Sequence, residues 1–192
     1  GQWTGDAAAG MNLFYGKGRC ASCHSGPFLT DMKYHAMGDP QIGPGKAERF
    51  ESHQRDTGRQ CVSNDPADAF AFRTPSLRNV TLSSPYGHAG SFSDLRAYLK
   101  QHEQPGRFLF QYDIKNAVLP TMTLGKPDLQ TDPSGADFAA IAAAVHEAPM
   151  SLSDDETDQI LAFLRTLEDP VARIGGRLGV PDDVPSGLPV DR

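Results

Sequence analysis

The sequence predicts a mostly α-helical domain with long loops and an extended C-terminal tail. Four stretches have the composition or spacing of helices. Nowhere does the sequence show a convincing strand pattern or an internal repeat. Between the first and the second helix, residues 25–70 are rich in glycine, proline and polar residues, which favours loops. We assign residues 1–169 to the helical domain and the proline- and glycine-rich residues 170–192 to the tail.

The four expected helical stretches are residues 6–24, 91–106, 135–148 and 152–167. In the second helix Ser93 is the expected N-cap, and Pro105 and Gly106 close the segment. One face of that helix carries Leu95, Tyr98, Leu99 and His102. The last helix begins with a capping box of Ser153 and Glu156. Its apolar stripe consists of Ile160, Leu161, Phe163, Leu164 and Leu167.

Charge and composition argue against nucleic acid as a partner and against a membrane-spanning segment. The 192-residue chain has 39% hydrophobic and 22% charged residues, which is typical of a soluble globular protein. Its formal charge of −6 argues against nucleic acid as a partner, because phosphate binding requires a basic face. No stretch approaches the roughly 18 uninterrupted apolar residues of a membrane helix, so we expect no membrane span.

The stretch GKGRCASCHSGP at residues 16–27 places His24 directly behind Cys20 and Cys23. A C-x-x-C motif serves redox disulfides, zinc sites and covalent haem attachment, and only haem attachment requires the adjacent histidine. A redox dithiol would follow a strand in a βαβ unit, and no such alternation follows here. Zinc needs four ligands, for which only Cys61 and a distant histidine remain. The motif therefore favours one covalent haem c with His24 as proximal iron ligand, and a cytochrome c-like domain wrapped around it.

Haem attachment also indicates the compartment, because thioether bonds form outside the cytoplasm in bacteria. The opening residues GQWTGDAAAG have neither the basic nor the apolar region of a signal peptide. We therefore expect a periplasmic protein whose signal peptide has been removed. Cys61 is left over, either as a buried or free thiol or as a bond to another chain or domain.

Further stretches follow the haem motif in a known order: CASCHSGPFLTDMKYHAMGDPQIGPG, DTGR, FRTPSLRNVTLSSPYGHAGSFSDLRAYL and LSDDETDQILAFLRTL. Over residues 13–167 the sequence resembles the bacterial di-haem cytochrome c peroxidase and MauG family, specifically its C-terminal, electron-transfer haem domain. The signature FRTPSLRNV…SPYGHAGSF is more specific than the haem motif alone. The resemblance implies that Cys20 and Cys23 hold the haem and that His24 ligates its iron.

The family's second axial ligand lies on the helix after the PYxHxG stretch and is commonly Met or Tyr. The matching position here is His102, which the helical pattern also places on the inward face. Two histidines would make the iron six-coordinate and low-spin, with a lower reduction potential than a His/Met pair. Met122, in LPTMTLG, and Tyr98 compete as ligands, and His102 would otherwise be an exposed residue near a helix end.

Basic residues of the signature are candidates for the haem propionates, which are costly to bury unpaired. We expect Arg78, more than Arg73, to face a propionate, with a solvated arginine as the alternative. His35 and His88 are expected to make structural hydrogen bonds rather than to bind metal. The remaining methionines are expected to be packing residues: Met11, Met32, Met37 and Met150.

Members of the family hold a calcium ion between their two haem domains. The resemblance implies that Ser83 and Pro85 offer backbone carbonyl oxygens to it, which suits a hard cation. The remaining protein ligand would come from the other domain, so calcium depends on that domain.

The resemblance implies an oxidoreductase that uses two haems, whereas this sequence has a single C-x-x-C-H. We expect a domain that relays electrons to or from a second, peroxidatic haem on another domain or chain, and that is active only with it. Its other partner would be a redox-protein donor or a protein substrate, and the final substrate stays open. The alternatives are a stand-alone periplasmic mono-haem cytochrome c, and a peroxidase in which His102 acts as an acid–base group beside an open iron.

Overall fold

The computed structural model describes residues 5–42, 55–118, 136–172 and 185–187. Its helices are α1 (Asp6–Tyr15), α2 (Gln60–Ser63), α3 (Leu95–Glu103), α4 (Pro105–Phe108), α5 (Ala136–Ala143) and α6 (Asp154–Arg165). Its two short strands are β1 (Tyr34–His35) and β2 (Phe72–Arg73). The prediction of a mostly helical chain with long loops is confirmed. Within the described ranges no helix has the length and apolar character needed to cross a membrane.

The main core forms where α1 packs against α6. The rings of Phe14 and Phe163 lie with their centroids 5.1 Å apart, and both side chains are almost completely buried. Gly10 of α1 lies against the backbone carbonyl of Gln159, and only a residue without a side chain permits this approach. The haem motif follows α1 directly, so this helix pair positions the candidate site.

The first helix ends at Tyr15, which makes the expected helix over residues 6–24 too long. Two glycines cause the end, because the amides of Gly16 and Gly18 both donate to the carbonyl of Leu13. The chain then turns, and a separate 3₁₀ turn at Cys20–Ser22 carries the first cysteine.

The capping box at the start of α6 is confirmed. The Ser153 hydroxyl accepts from the amide of Glu156, and the Glu156 carboxylate accepts from the amide of Ser153. The expected apolar stripe is also confirmed: Ile160, Leu161, Phe163 and Leu164 are buried, and Leu167 packs beside them.

Helix α3 begins one residue later than expected, because Asp94 rather than Ser93 is its N-cap. The Asp94 carboxylate accepts from the amide of Ala97 at 2.9 Å, whereas the Ser93 hydroxyl donates to the carbonyl of Asn116. Leu95 and Leu99 pack against the main core, as their spacing predicts. On the same face Tyr98 and His102 are half-buried.

Strands β1 and β2 form a two-stranded antiparallel ribbon, in which Tyr34 pairs with Arg73 and His35 with Phe72. The expectation of no strand is therefore wrong, although each strand has only two residues. The ribbon is extended by the bonds from the amide of Thr74 to the carbonyl of Lys33 and from the Ser76 hydroxyl to the carbonyl of Phe28. Residues 28–35 and 72–78 thus run side by side, and we call them the ribbon.

A second, smaller core lies away from the helix pair and consists of Phe70, Leu109 and Ile141, with Phe138 packed against it. Helix α5 supplies Ile141 but ends at Ala143, before the expected end of this helix at residue 148. The expected tail begins with a 3₁₀ turn at Pro170–Ala172, and residues 173–184 and 188–192 lie outside the described residues. The boundary between domain and tail stays a prediction.

Candidate haem site

The two cysteines of the motif are held by a tight turn that begins as α1 ends. The amides of Cys23 and His24 both donate to the carbonyl of Cys20, at 3.3 and 2.8 Å, so one turn separates the two sulfurs. Both thiols are free and half-buried. Burial raises the pKa of the Cys20 thiol to about 11, and burial also raises the pKa of Cys23.

The ring of His24 is held in one tautomer. Its Nδ1 lies 3.1 Å from the carbonyl oxygen of Leu29, and because a carbonyl only accepts, Nδ1 carries the proton. The neutral ring then has its lone pair on Nε2, which is the state a metal ligand needs. Burial lowers the pKa of His24 to about 4, and the charge of His102 lowers it further. Hydrogen bonds to the carbonyls of Leu29 and Pro75 act in the opposite direction and raise the pKa. The ring is therefore neutral at physiological pH.

His102 on α3 has the same arrangement. Its Nδ1 lies 2.9 Å from the backbone carbonyl of Tyr98, which again leaves the lone pair on Nε2. The ring stands edge-on to the ring of Tyr98, with centroids 4.5 Å apart and an angle of 87°. The charge of His102 contributes to the lowered pKa of His24. The assignment of both histidines as ligands of one iron stays a prediction.

The competing ligand Tyr98 is turned toward a different partner. Its hydroxyl lies 3.3 Å from a carboxylate oxygen of Asp39, to which it donates. Burial raises the pKa of Tyr98 well above its usual range, and the Asp39 carboxylate raises it further. A protonated, hydrogen-bonded phenol is a poor iron ligand, which favours His102. The other competitor, Met122, lies outside the described residues.

The two arginines of the signature lie on the ribbon. The Arg73 guanidinium donates to the sulfur of Met32 at 3.3 Å, and the Arg78 guanidinium lies over the ring of Phe28 at 5.5 Å. Arg78 also borders a cleft of 590 Å³ that Leu29 helps to line. Both arginines are exposed, so both have charge available for a carboxylate.

The calcium candidates, the third cysteine and the methionines lie outside the haem motif. Ser83 and Pro85, the carbonyl candidates for calcium, are exposed on one loop, and the calcium assignment stays a prediction. Cys61 is an exposed free thiol whose sulfur lies 3.0 Å from the Thr57 hydroxyl, so it is not buried. Met11 and Met150 pack against the main core as expected, but Met32 is 61% exposed, which makes its assignment as a packing residue wrong.

His35 and His88 make hydrogen bonds, as expected, although their partners are carboxylates. His88 Nε2 lies 2.9 Å from Asp56, and His35 Nε2 lies 2.9 Å from Asp31. On its other side His35 Nδ1 lies 3.3 Å from the Glu147 carboxylate.

Sequence reasoning missed the cluster of Asp31, His35 and Glu147 beside the haem motif. His35 Nδ1 is 3.9 Å from the sulfur of Cys23, and the ligand atoms of Cys23, Asp31 and His35 lie within 4.8 Å of one another. Burial opposes ionisation of Asp31, but hydrogen bonds from His35, Lys33 and Thr74 lower its pKa to about 2. A thioether bond at Cys23 would remove the thiolate from this set. The four-residue spacing of Asp31 and His35 was a usable signal, whereas nothing local indicates Glu147.

The helix pair, the cysteine turn and the paired histidine tautomers together define a c-type cytochrome domain. The donor set fits a haem, because two free thiols one turn apart precede the neutral imidazole of His24, and His102 offers a second imidazole. Each imidazole is also oriented by a backbone carbonyl, as metal-ligating histidines commonly are.

Comparison with known proteins agrees with that class. No family model matches the sequence. The chain is 29% identical over 167 residues to the cytochrome-c peroxidase IdrP1 of Pseudomonas sp., covering 77% of this chain and 42% of that protein. It is 31% identical over 145 residues to the methylamine utilization protein MauG of Paracoccus denitrificans, covering 73% of this chain and 35% of MauG.

Solved structures share the fold. The di-haem peroxidase BthA of Burkholderia thailandensis aligns with a TM-score of 0.60 and 23% identity, over 88% of this chain and 43% of BthA. A MauG-like protein associated with microbial copper homeostasis aligns with a TM-score of 0.56 and 24% identity, over 88% of this chain and 48% of that one. The chain belongs to the bacterial di-haem cytochrome c peroxidase and MauG family, and it spans less than half the length of these relatives.

Proposed function

We propose that this chain is the electron-transfer haem domain of a di-haem cytochrome c peroxidase or MauG-like oxidoreductase, corresponding to the family's C-terminal domain. In this domain Cys20 and Cys23 would hold one haem c through thioether bonds, and His24 and His102 would hold its iron. The domain relays electrons to or from a second, peroxidatic haem on another domain or chain. A haem bound in this way supplies a one-electron Fe(III)/Fe(II) couple.

The observation that carries the proposal is the shared hydrogen-bonding state of the two histidines. A backbone carbonyl holds the Nδ1 proton of His24, and another holds that of His102. Each ring therefore has Nε2 available to a metal. Burial lowers the pKa of His24, so a proton does not occupy its Nε2 at neutral pH. If His24 and His102 both held the iron, peroxide would have no site there, which would suit electron relay rather than peroxide turnover.

Surrounding residues complete the proposed site. Arg78, more than Arg73, pairs with a haem propionate, because a buried carboxylate requires a charged donor. Calcium bound by the carbonyls of Ser83 and Pro85 would need a ligand from the second haem domain.

The proposed assembly is periplasmic and works as an oxidoreductase only when both haems are present. The match to less than half of each relative supports a second haem-bearing domain or chain as partner. The electron donor is a redox protein, and the oxidised substrate is peroxide or a protein residue.

Haem content tests the proposal directly. The chain is produced in a host with the cytochrome c maturation machinery, and its mass and pyridine haemochrome spectrum are measured. We expect one covalent haem per chain in the wild type and in Cys61→Ser, and loss of stable double attachment in Cys20→Ser and Cys23→Ser. A haem that acid acetone extracts, or a chain that binds zinc instead, would overturn the assignment of the motif.

The haem count of the native assembly separates the relay domain from a stand-alone carrier. We expect two haems on the assembly that contains this sequence, in one or two polypeptides. A native protein with this haem alone would be a mono-haem cytochrome c. Rapid peroxide turnover by the isolated chain would make it a peroxidase in its own right.

A further inference from the structure

Three large apolar side chains of the ribbon are exposed, and an arginine lies against each of them. Phe28, Met32 and Tyr34 are 59, 61 and 43% exposed. The Arg78 guanidinium lies 5.5 Å from the centre of the Phe28 ring, and Arg73 donates to the Met32 sulfur at 3.3 Å. The third arginine, Arg59, lies over the Tyr34 ring at 4.8 Å.

Four of these side chains form one continuous surface. Tyr34 and Arg73 are directly opposite in the antiparallel ribbon, and directly opposite residues project to the same side. Arg73 also contacts Met32, and Arg59 covers Tyr34, so four side chains are linked in a row. We call the surface of Met32, Tyr34, Arg59 and Arg73 the ribbon face.

The other side of the ribbon faces the candidate haem site. His35 follows Tyr34 and projects to the opposite side, where it contacts Cys23. The amide of Asp31 donates to the carbonyl of Cys23 at 2.7 Å, and the carbonyl of Leu29 holds His24. A protein bound to the ribbon face would therefore be separated from the haem-attachment residues by the thickness of the ribbon.

The charge of the ribbon face is opposite to that of the chain. The whole sequence has a formal charge of −6, whereas this face presents two guanidinium groups, those of Arg59 and Arg73. The carboxylate of Asp68 approaches Arg59 only to 3.8 Å. Arginine, methionine and aromatic residues are the types enriched at the centres of protein interfaces.

The geometry points to the ribbon face as the docking surface for an acidic redox protein. Carboxylates of the partner pair with Arg59 and Arg73, while its apolar surface covers Met32 and Tyr34. That the partner is a redox protein rests on the proposed function, whereas the docking itself does not require the haem.

The test uses two probes that differ in charge alone. The first is mitochondrial cytochrome c, which is basic, and the second is the same protein with its lysines succinylated, which makes it acidic. Binding to the full chain is measured by calorimetry at low salt and at 0.2 M salt, where exposed charges more than about 7 Å apart are largely screened. We expect the succinylated probe to bind at low salt and more weakly at high salt, and the basic probe to bind at least about tenfold more weakly.

Matched variants locate the binding surface. We expect Arg59→Glu to weaken binding of the succinylated probe by about tenfold or more, and Lys115→Glu, an equal charge change outside the ribbon, by less than about twofold. Tyr34→Ala removes the apolar contact without touching Asp68 and should weaken binding with little change in salt dependence. Circular dichroism checks that each variant is folded. Equal effects of Arg59→Glu and Lys115→Glu, or stronger binding of the basic probe, would overturn the proposal.

A competing occupant is the second haem domain of the same assembly. Arginine modification by phenylglyoxal, mapped by mass spectrometry on the native assembly, distinguishes the two. We expect Arg59 and Arg73 to react in the assembly and to be protected when the acidic probe is added. If Arg59 and Arg73 are already protected from modification without the probe, the second haem domain covers the ribbon face. That result would overturn docking of a separate protein. Haem content is measured in parallel, so a chain that carries haem but binds no probe contradicts the docking alone.

Discussion

His24 and His102 hold their Nδ1 protons in the same way, through the backbone carbonyls of Leu29 and Tyr98 at 3.1 and 2.9 Å. One histidine belongs to the turn after α1 and the other to α3, so two separate parts of the fold each leave the Nε2 atom of a histidine available. This agrees with the assignment of His102 as the second ligand, which stays a prediction.

Replacing His102 by alanine is expected to change the spin state of the ferric haem protein. Loss of the second axial nitrogen leaves one position open, and a weaker ligand such as water gives a high-spin iron. Low-temperature EPR should show a low-spin wild type and a high-spin His102→Ala variant.

Two variants control this measurement. Tyr98→Phe should remain low-spin, because the Tyr98 hydroxyl is bonded to Asp39 and not needed at the iron. His146→Ala changes an exposed histidine and should also leave the spectrum unchanged. A wild-type protein that is already high-spin would contradict the assignment of His102 as a ligand.

The same ligand pair predicts a direction for the reduction potential. Exchange of a histidine for methionine raises the potential of a c-type haem. The His102→Met variant should therefore have a higher midpoint potential than the wild type, within the roughly 0.8 V range that axial ligands span. Spectroelectrochemical titration measures it, and a potential equal to that of the wild type would place His102 away from the iron.

The Asp31–His35 pair makes stability depend on pH in acid. Hydrogen bonds lower the pKa of Asp31 from 3.8 to about 2 although burial opposes this, so the folded state binds fewer protons than the unfolded state. The contribution is complete above pH 3.8 and is lost as pH falls toward about 2. Urea unfolding should show Asp31→Asn less stable than the wild type by roughly 1–2 kcal/mol at pH 6, a figure reduced for solvent screening.

The pH profile separates this effect from a general loss of packing. The stability difference between the wild type and Asp31→Asn should shrink below pH 3.8 and vanish near pH 2. Asp155→Asn, which removes an exposed carboxylate at the start of α6, is the matched control and should show no such convergence. A difference that stays constant from pH 6 to pH 2 would mean that the pair is not the cause.

Features set by neighbouring residues were predictable from sequence, and those set by distant contacts were not. The capping box of Ser153 and Glu156 depends on residues three apart, and the structure contains it. The cap of α3 was placed wrongly at Ser93, because its hydroxyl is taken by Asn116, 23 residues away. The ribbon escaped detection because two-residue strands are too short to show alternation.

The same distinction holds within the candidate site. The C-x-x-C-H motif and the position of His102 on the inward face follow from local spacing, whereas the bond between Tyr98 and Asp39 joins residues 59 apart. The contact of His35 with Glu147 joins residues 112 apart, and no local pattern in the sequence indicates it.

Removal of the α6 cap should cost a modest amount of stability. The Ser153 hydroxyl accepts from the amide of Glu156, and the Glu156 carboxylate is held in turn by Lys17 at 2.7 Å. Ser153→Ala leaves that amide without its partner, which typically costs about 1 kcal/mol. Ser151→Ala, an exposed serine just before the helix, should change the unfolding free energy by less than about 0.5 kcal/mol. Equal losses in the two variants would contradict the capping role.

Gly10→Ala should be far more damaging, although alanine is the better helix former. In an exposed helix this exchange would stabilise by about 1 kcal/mol. Here the new Cβ would overlap the backbone carbonyl of Gln159, and backbone cannot move aside as a flexible side chain can. Forcing α1 and α6 apart would also loosen the contact of Phe14 with Phe163, so we expect a loss of about 3 kcal/mol or more. Asn12→Ala, on the exposed side of α1, is the matched control. If Gly10→Ala and Asn12→Ala both unfold at the same urea concentration as the wild type, the close approach of α1 and α6 is wrong.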